Sequence, residues 1–305
     1  MKTLVTAKMN PDLENFSSCL AYASFLCQTR TSDSFDAKFK EKVSLDAEYM
    51  AKITGLSPEK YILKPTDDKY KSYILLGDDN QREFPKRVIR EDVIERIDNI
   101  QHEDFVDFPY AQYQYEKVAS IATLIAEKYF FSRSATISSE NGILLLAAIC
   151  LGTGNFKSSS TTFRDIRMKN WLIEEEKIDV DICKRMLNWR SDFIENFLEE
   201  VVKSEIKQVK LKNGKKFRLL ELLTMDAENL AMRKDELLRY INAMKGKEDS
   251  IILIQDVKKG TTRIISTNDT FYDILRNIGF GGKKLKGILQ TEKLVDQGTI
   301  LSHLI

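Results

Sequence analysis

Between Thr3 and Leu26 the chain passes from a short β-rich stretch, Thr3–Ala7, through the turn Asn10-Pro11-Asp12-Leu13-Glu14, directly into an amphipathic helix. A strand that runs straight into a helix opens a βα unit, and such units build parallel sheets. In open α/β sheets ligands bind in the crevice outside the carboxyl ends of the strands. Asp12 and Glu14 stand two residues apart on that turn, so both can point into such a crevice. Oxygen donors of this kind suit hard cations such as Mg²⁺ and Mn²⁺.

The pattern recurs downstream. Glu14–Gln28 reads as a helix, with Phe16, Leu20, Ala23 and Cys27 on one face. The charged segment 31–42 reads as an edge strand or loop, and Leu45–Ile53 as a short helix ended by Gly55 and Pro58. Ser72–Leu76 is a buried strand, followed by the turn Gly77-Asp78-Asp79-Asn80. Glu91–Ile97 then leads to Asp98, again a carboxylate after an apolar run. Lys117–Phe131 and Asn141–Leu151 are apolar helices, and Thr161-Thr162 reads as the N-cap of another.

After Trp171 the apolar pattern gives way to Glu174-Glu175-Glu176-Lys177, where a linker is expected. Beyond it, Asp181–Val202, Asn229–Met244 and Thr270–Ile278 read as helices. Glu205–Lys210 and Lys215–Leu219 form a hairpin around Asn213-Gly214. Ile251–Val257 and Thr261–Ser266 form a second around Lys259-Gly260, and a last strand lies near Gly287–Gln290. The expectation is α/β: a parallel-sheet domain over 1–176, then a smaller α+β domain over 181–305.

With 305 residues, 43% hydrophobic and 30% charged, the chain has the make-up of a globular protein of two domains. Its 47 basic and 46 acidic residues nearly cancel, so no global field draws it to nucleic acid or an anionic membrane. No apolar run approaches the ~20 residues of a membrane span. Cys19, Cys27, Cys150 and Cys183 lack metal-ligand spacing and read as free thiols of a cytoplasmic protein. Only two histidines exist, His102 and His303, too few for a His-rich zinc site.

Asn10-Pro11-Asp12-Leu13-Glu14 resembles motif I of the DHH phosphoesterases, Asn-Pro-Asp-x-Asp. Leu76-Gly77-Asp78-Asp79-Asn80-Gln81 resembles motif II, and Arg96-Ile97-Asp98-Asn99-Ile100 stands in the place of motif III. Thr153-Gly154-Asn155-Phe156-Lys157 is similar to the motif IV region. The likeness spans nearly the whole chain and is to the manganese-dependent inorganic pyrophosphatases and exopolyphosphatase-like relatives. It implies a metal-dependent hydrolase of phosphoanhydrides, with a DHH-associated second domain that closes over the substrate with basic residues.

The departures fall on functional positions. Lys8 stands where those enzymes place a metal-binding His, Glu14 replaces the second motif I Asp, and Asp79 replaces the motif II His. Asn99 and Ile100 replace the motif III imidazoles, and Gly152 the motif IV Asp. The basic signature near the C-terminus becomes Gln290-Thr291-Glu292-Lys293, with only Lys293 keeping its charge. The resemblance therefore assigns Asp12, Glu14, Asp78 and Asp98 as metal ligands. Asp98 and Asn99 take the catalytic positions, and Lys293 and Lys8 those of substrate contacts. Four carboxylates could hold one Mn²⁺ or Mg²⁺ weakly; they hardly build a dinuclear cluster. Lys8 can instead pair with Asp12 or Asp98, point to solvent from the strand end, or contact a phosphate.

Gly279-Phe280-Gly281-Gly282-Lys283-Lys284 could form an anion nest, against the plainer reading of a solvated loop. His102 could be a replacement ligand, against the plainer reading of a solvated side chain. Two functions stay open. One is a phosphoanhydride hydrolase with weak or lost activity. The other is an inactive relative that acts as a binding or regulatory module for a protein partner or a phosphorylated ligand. Neither nucleic acid nor membrane is expected as a partner, and a homodimer is compatible with the resemblance.

Overall fold

The computed structural model describes residues 2–8, 10–64, 67, 70–77, 88–99, 108–210, 214–244, 246, 248–277, 279 and 282–304. Contacts cluster into two units, 1–153 with 162–186, and 154–161 with 187–305.

The first unit runs β1 (Lys2–Thr6), α1 (Leu13–Thr29), β2 (Ser34–Ala37), α2 (Leu45–Ile53), β3 (Ser72–Leu76), β4 (Val93–Asp98), β5 (Gln112–Tyr115), α3 (Ile121–Phe130), α4 (Ser139–Gly152) and α5 (Phe163–Glu174). The strands form one sheet in the order β2-β1-β3-β4-β5. Every pairing in it is parallel. A parallel sheet is covered on both faces, so its central strands must be apolar throughout. Leu4, Val5, Ile74, Leu75 and Leu76 are accordingly buried.

Polar caps fix where the helices begin. Asp12, Ser44, Ser120, Ser138 and Thr162 each accept from a backbone N–H in the first turn of α1 to α5 respectively. Each cap satisfies a donor that the helix leaves unpaired and contributes about 1 kcal/mol. Ser120 also explains why α3 starts four residues later than the apolar pattern from Lys117 suggests. The segment 31–42 supplies β2, at one edge of the sheet.

The second unit contains most of α6 (Asp181–Asn196), then α7 (Leu198–Glu205), β6 (Lys207–Lys210), β7 (Lys216–Thr224), α8 (Ala227–Met232), α9 (Lys234–Ala243), β8 (Asp249–Asp256), β9 (Thr261–Ser266), α10 (Thr270–Asn277), β10 (Gly282–Leu285), β11 (Ile288–Thr291) and α11 (Gln297–Leu304). Its six strands are ordered β10-β11-β9-β8-β7-β6. Only β7 and β8 pair in parallel; both expected hairpins are antiparallel. Period-2 alternation sorts two cores. Leu220, Leu222, Ile252, Ile254 and Ile265 join Leu198, Leu230, Leu237 and Ile241 from the helices. Phe217, Leu219, Ile251, Leu253, Ile264 and Leu289 join Phe271, Tyr272, Leu275 and Ile300. Each such side chain contributes roughly 1.5–3 kcal/mol when fully buried.

Three expectations are corrected. The helix read over 181–202 is two, separated at Phe197, whose backbone (φ −129, ψ 43) is not helical. The helix read over 229–244 is likewise interrupted at Arg233. Gly282, read as part of a loop or nest, is in β10. A Cβ there would lie 1.8 Å from the Gln290 carbonyl oxygen, so the close approach of β11 requires glycine.

Candidate functional site at the carboxyl edge of the parallel sheet

Because β1, β3 and β4 are parallel, their carboxyl ends share one edge of the sheet. Lys8 and Asp12 follow β1, Gly77 follows β3, Asp98 ends β4 and Asn99 follows it. Asp78, Asp79, Ile100 and His102 lie outside the described residues. Gly77 has a positive φ of 66°. A Cβ on it would stand 2.6 Å from Ile121 Cδ1 and 3.2 Å from Asn15 Nδ2, so this crevice wall tolerates only glycine.

Each expected ligand among the described residues, Asp12, Glu14 and Asp98, has a partner in the protein. Asp12 accepts from Asn15 N at 2.9 Å as the cap of α1. Its other carboxylate oxygen receives Lys8 Nζ at 2.7 Å. Lys8 thus makes the carboxylate pairing weighed for it. Glu14 turns away to the start of α3, where its Oε1 accepts from Ile121 N at 2.8 Å. Burial, then the Asp12 charge, raises the Glu14 carboxyl to about 7. The Ser120 and Ile121 hydrogen bonds and Lys8 oppose that rise without cancelling it.

Asp98 is buried and accepts from Arg96 Nη2 at 3.0 Å and from Asn99 N at 2.8 Å. Arg96 and Asp98 are two apart on β4, so they share a face of the sheet. Asn99, expected at a catalytic position, donates its side-chain amide to Val118 O at 3.1 Å. That bond ties β4 to the segment before α3. Asn15 donates to Leu76 O at 3.3 Å, while its buried Oδ1 has no partner among the described residues.

These donors do not fit a dinuclear metal cluster. One carboxylate carries an ammonium, one faces a helix N-terminus, and one is held by a guanidinium. Among the described residues no three His, Cys, Asp or Glu side chains come together in a way that could hold a metal ion. At Gly152 a Cβ would lie 3.1 Å from both Ala119 O and Ser120 Cβ, so any side chain there needs those neighbours to give. Lys293 is exposed in the second unit, where its carbonyl accepts from Thr291 Oγ1 at 2.6 Å.

Sequence reasoning overlooked the polar groups that hold α3. Asp165 is fully buried. It accepts from Ala119 N (3.2 Å), Thr123 Oγ1 (2.6 Å), Thr162 N (2.7 Å) and Thr162 Oγ1 (2.6 Å). Arg164 beside it grips Glu127 through Nε at 2.8 Å and Nη2 at 2.5 Å, and reaches Glu116 at 2.9 Å. The Thr162-x-x-Asp165 spacing was the available signal, because it is that of a capping box.

In sequence the chain is similar to manganese-dependent inorganic pyrophosphatases, and in fold it is similar to solved structures of pyrophosphatase and exopolyphosphatase relatives. No family model matches the chain. It is 25% identical to the manganese-dependent inorganic pyrophosphatase of Bacillus subtilis over 263 residues, 84% of this chain and 82% of the relative. Among solved structures, a Methanococcus jannaschii protein assigned to the family II inorganic pyrophosphatases aligns with a TM-score of 0.75, 20% identity and 99% coverage of both chains. An exopolyphosphatase-related protein of Bacteroides fragilis aligns with a TM-score of 0.53 at 14% identity, covering 99% of this chain and 90% of its own.

Proposed function

We propose that this chain binds a phosphorylated small molecule or inorganic phosphoanhydride on a pyrophosphatase-like scaffold, with hydrolysis weak or lost. The observation that carries the reading is the Lys8 ammonium, held 2.7 Å from the Asp12 carboxylate. An ammonium in that position balances the charge a divalent ion would otherwise neutralise, and it repels the ion. Efficient phosphoanhydride hydrolysis needs an activated water and concentrated positive charge on the phosphoryl oxygens. Glu14 and Asp98 are committed to Ile121 N and Arg96, which leaves few groups to supply the first. Lys8 and Lys293 are the proposed substrate contacts, with 1–176 and 181–305 as the two functional domains. At most one weakly held Mn²⁺ or Mg²⁺ is proposed. The four free cysteines suit a cytoplasmic setting, and among the described residues no helix is long and apolar enough to cross a membrane.

Pyrophosphate turnover by the purified protein in Mn²⁺ tests the proposal. The expected rate is well below about 1 s⁻¹, the lower end of ordinary enzyme turnover. A rate at or above that value overturns it. The combined variant Lys8→His, Glu14→Asp, Asp79→His, Asn99→His, Ile100→His and Gly152→Asp is expected to gain metal affinity before it gains rate.

A further inference from the structure

A groove of about 570 Å³ opens in the first unit, between the last turns of α1 and α3 and across β4 and β5. Glu95, third in β4, and Gln112, first in β5, line its floor. Helices that begin at the carboxyl edge of a parallel sheet end toward its amino edge. The groove therefore lies at the opposite end of the strands from Asp12 and Asp98. Its volume is within the range of small-molecule sites.

The charges on its walls do not cancel. Glu95 accepts from Tyr22 Oη at 2.7 Å and lies 3.9 Å from Lys128 Nζ. Lys128 also donates to Gln114 Oε1 at 2.9 Å and sits 5.0 Å above the Tyr22 ring. That acid and that base are thus matched to each other. Arg30 lines the same groove, is exposed, and makes no ion pair and no side-chain hydrogen bond among the described residues. Its place at the end of α1 favours a cation electrostatically. A helix end uses only the charge, and leaves the planar fork of donors open. Phe25 and Phe131 supply flat apolar walls, and Phe131 is 67% exposed. Arg167 sits 5.0 Å over the Phe131 ring, which nonetheless stays largely exposed. An exposed aromatic ring in the same groove as an unpaired guanidinium is useful against a ligand that matches both.

We propose that this groove binds a small organic anion built on a flat aromatic ring, with its single negative group on Arg30 and its ring against Phe25 and Phe131. Carboxylate and phosphate both match a guanidinium fork. The same chemistry could therefore come from an aromatic carboxylate or from a mononucleotide. Calorimetric titration of the full chain with indole-3-carboxylate and, separately, with adenosine monophosphate distinguishes them.

At least one probe is expected to bind with a sub-millimolar Kd. That affinity should fall about tenfold or more in Arg30→Ala, the scale of one charged hydrogen-bonded pair. Phe131→Leu, at an exposed position, should weaken the same probe with the fold intact by circular dichroism. Binding by the carboxylate alone names that source, and binding by the nucleotide alone names the other. If neither probe binds at millimolar concentration, or if Arg30→Ala and Phe131→Leu bind as the parent does, the proposal is wrong. Binding of adenosine monophosphate that pyrophosphate displaces and Arg30→Ala leaves unchanged belongs to another site, and also overturns it.

Discussion

At Glu14 two forces oppose one another. The N-terminus of α3 favours an anion, whereas burial and the nearby Asp12 disfavour one. Burial prevails, and the carboxyl is raised to about 7. Glu221 in β7 has the same problem: burial first, then Asp296, raises it to about 7, although it accepts from Gln297 N at 2.9 Å. A carboxyl whose folded value exceeds its unfolded one adds stability that is complete below the unfolded value. That contribution disappears as pH rises through the folded value. Stability should therefore decline between about pH 4.5 and 7.5. After allowance for partial exposure, each group accounts for roughly 1–2 kcal/mol of that decline. Urea midpoints across pH check it. Glu14→Gln and Glu221→Gln should each flatten the decline, and a parent curve that rises over this window would refute the assignment. Lys8→Ala should move the Glu14 titration higher still, since Lys8 opposes the rise.

Asp165 belongs to the same scale. Replacing it with Ala strands four donors in the interior and removes the Asp165 half of the α5 capping box, while Thr162 still caps the helix. The loss is about 3–4 kcal/mol on typical figures for buried unpaired groups. Equilibrium urea unfolding with an unchanged slope would show this. A loss under about 1 kcal/mol would mean that water takes over the donors. Some residue pairings were legible in the sequence and others were not. Arg96 and Asp98 share a strand face by period 2, so their pairing could be read in advance. Glu14 and Ile121 are 107 residues apart, and no local pattern connects them. That Asp12 and Asp98 share one sheet edge and that Lys8 pairs with a carboxylate were readable, but the group that Glu14 faces was not.

At the scale of elements, apolar pattern and punctuation were sufficient where they agreed. Ser72–Leu76 and Leu45–Ile53 have the bounds read from sequence. β5 was not anticipated, because Gln112-Tyr113-Gln114-Tyr115 is an exposed edge strand with little apolar alternation to detect. The interruptions at Phe197 and Arg233 were invisible for a different reason: neither residue breaks helices by itself, and tertiary packing decides. Gly77 shows an element ending under a steric rule. Gly77→Ala should cost about 2 kcal/mol or more, because the positive φ and the Ile121 contact penalise it together. Thermal melting measures the loss, and an unchanged Tm would mean that α3 can shift to make room.

For the whole molecule, the chain passes between its contact units three times, since 154–161 clusters with 187–305 while both flanks belong to the first unit. Trp171 and Trp189 place one tryptophan in each unit. Fluorescence of Trp171→Phe and Trp189→Phe can therefore follow the units separately. Coincident urea midpoints are expected, because the 154–161 loop cannot leave the second unit without pulling on the first. Midpoints separated by more than about 0.5 M, with typical slopes of 1–3 kcal/mol/M, would show independent unfolding.

That loop also sets an order of events during synthesis. Ser158 bonds Asp296, 138 residues further along, and its backbone bridges to Leu294. Gly154, Asn155 and Phe156 all have positive φ, a conformation costly for the two non-glycine residues and stable only when its surroundings are complete. On the ribosome, at ~5–20 residues per second, this stretch emerges several seconds before its partners. Throughout that interval the segment has neither Asp296 nor Leu294 to hold it, so its positive-φ turn forms late in synthesis. Pausing synthesis just before residue 294 should delay it further.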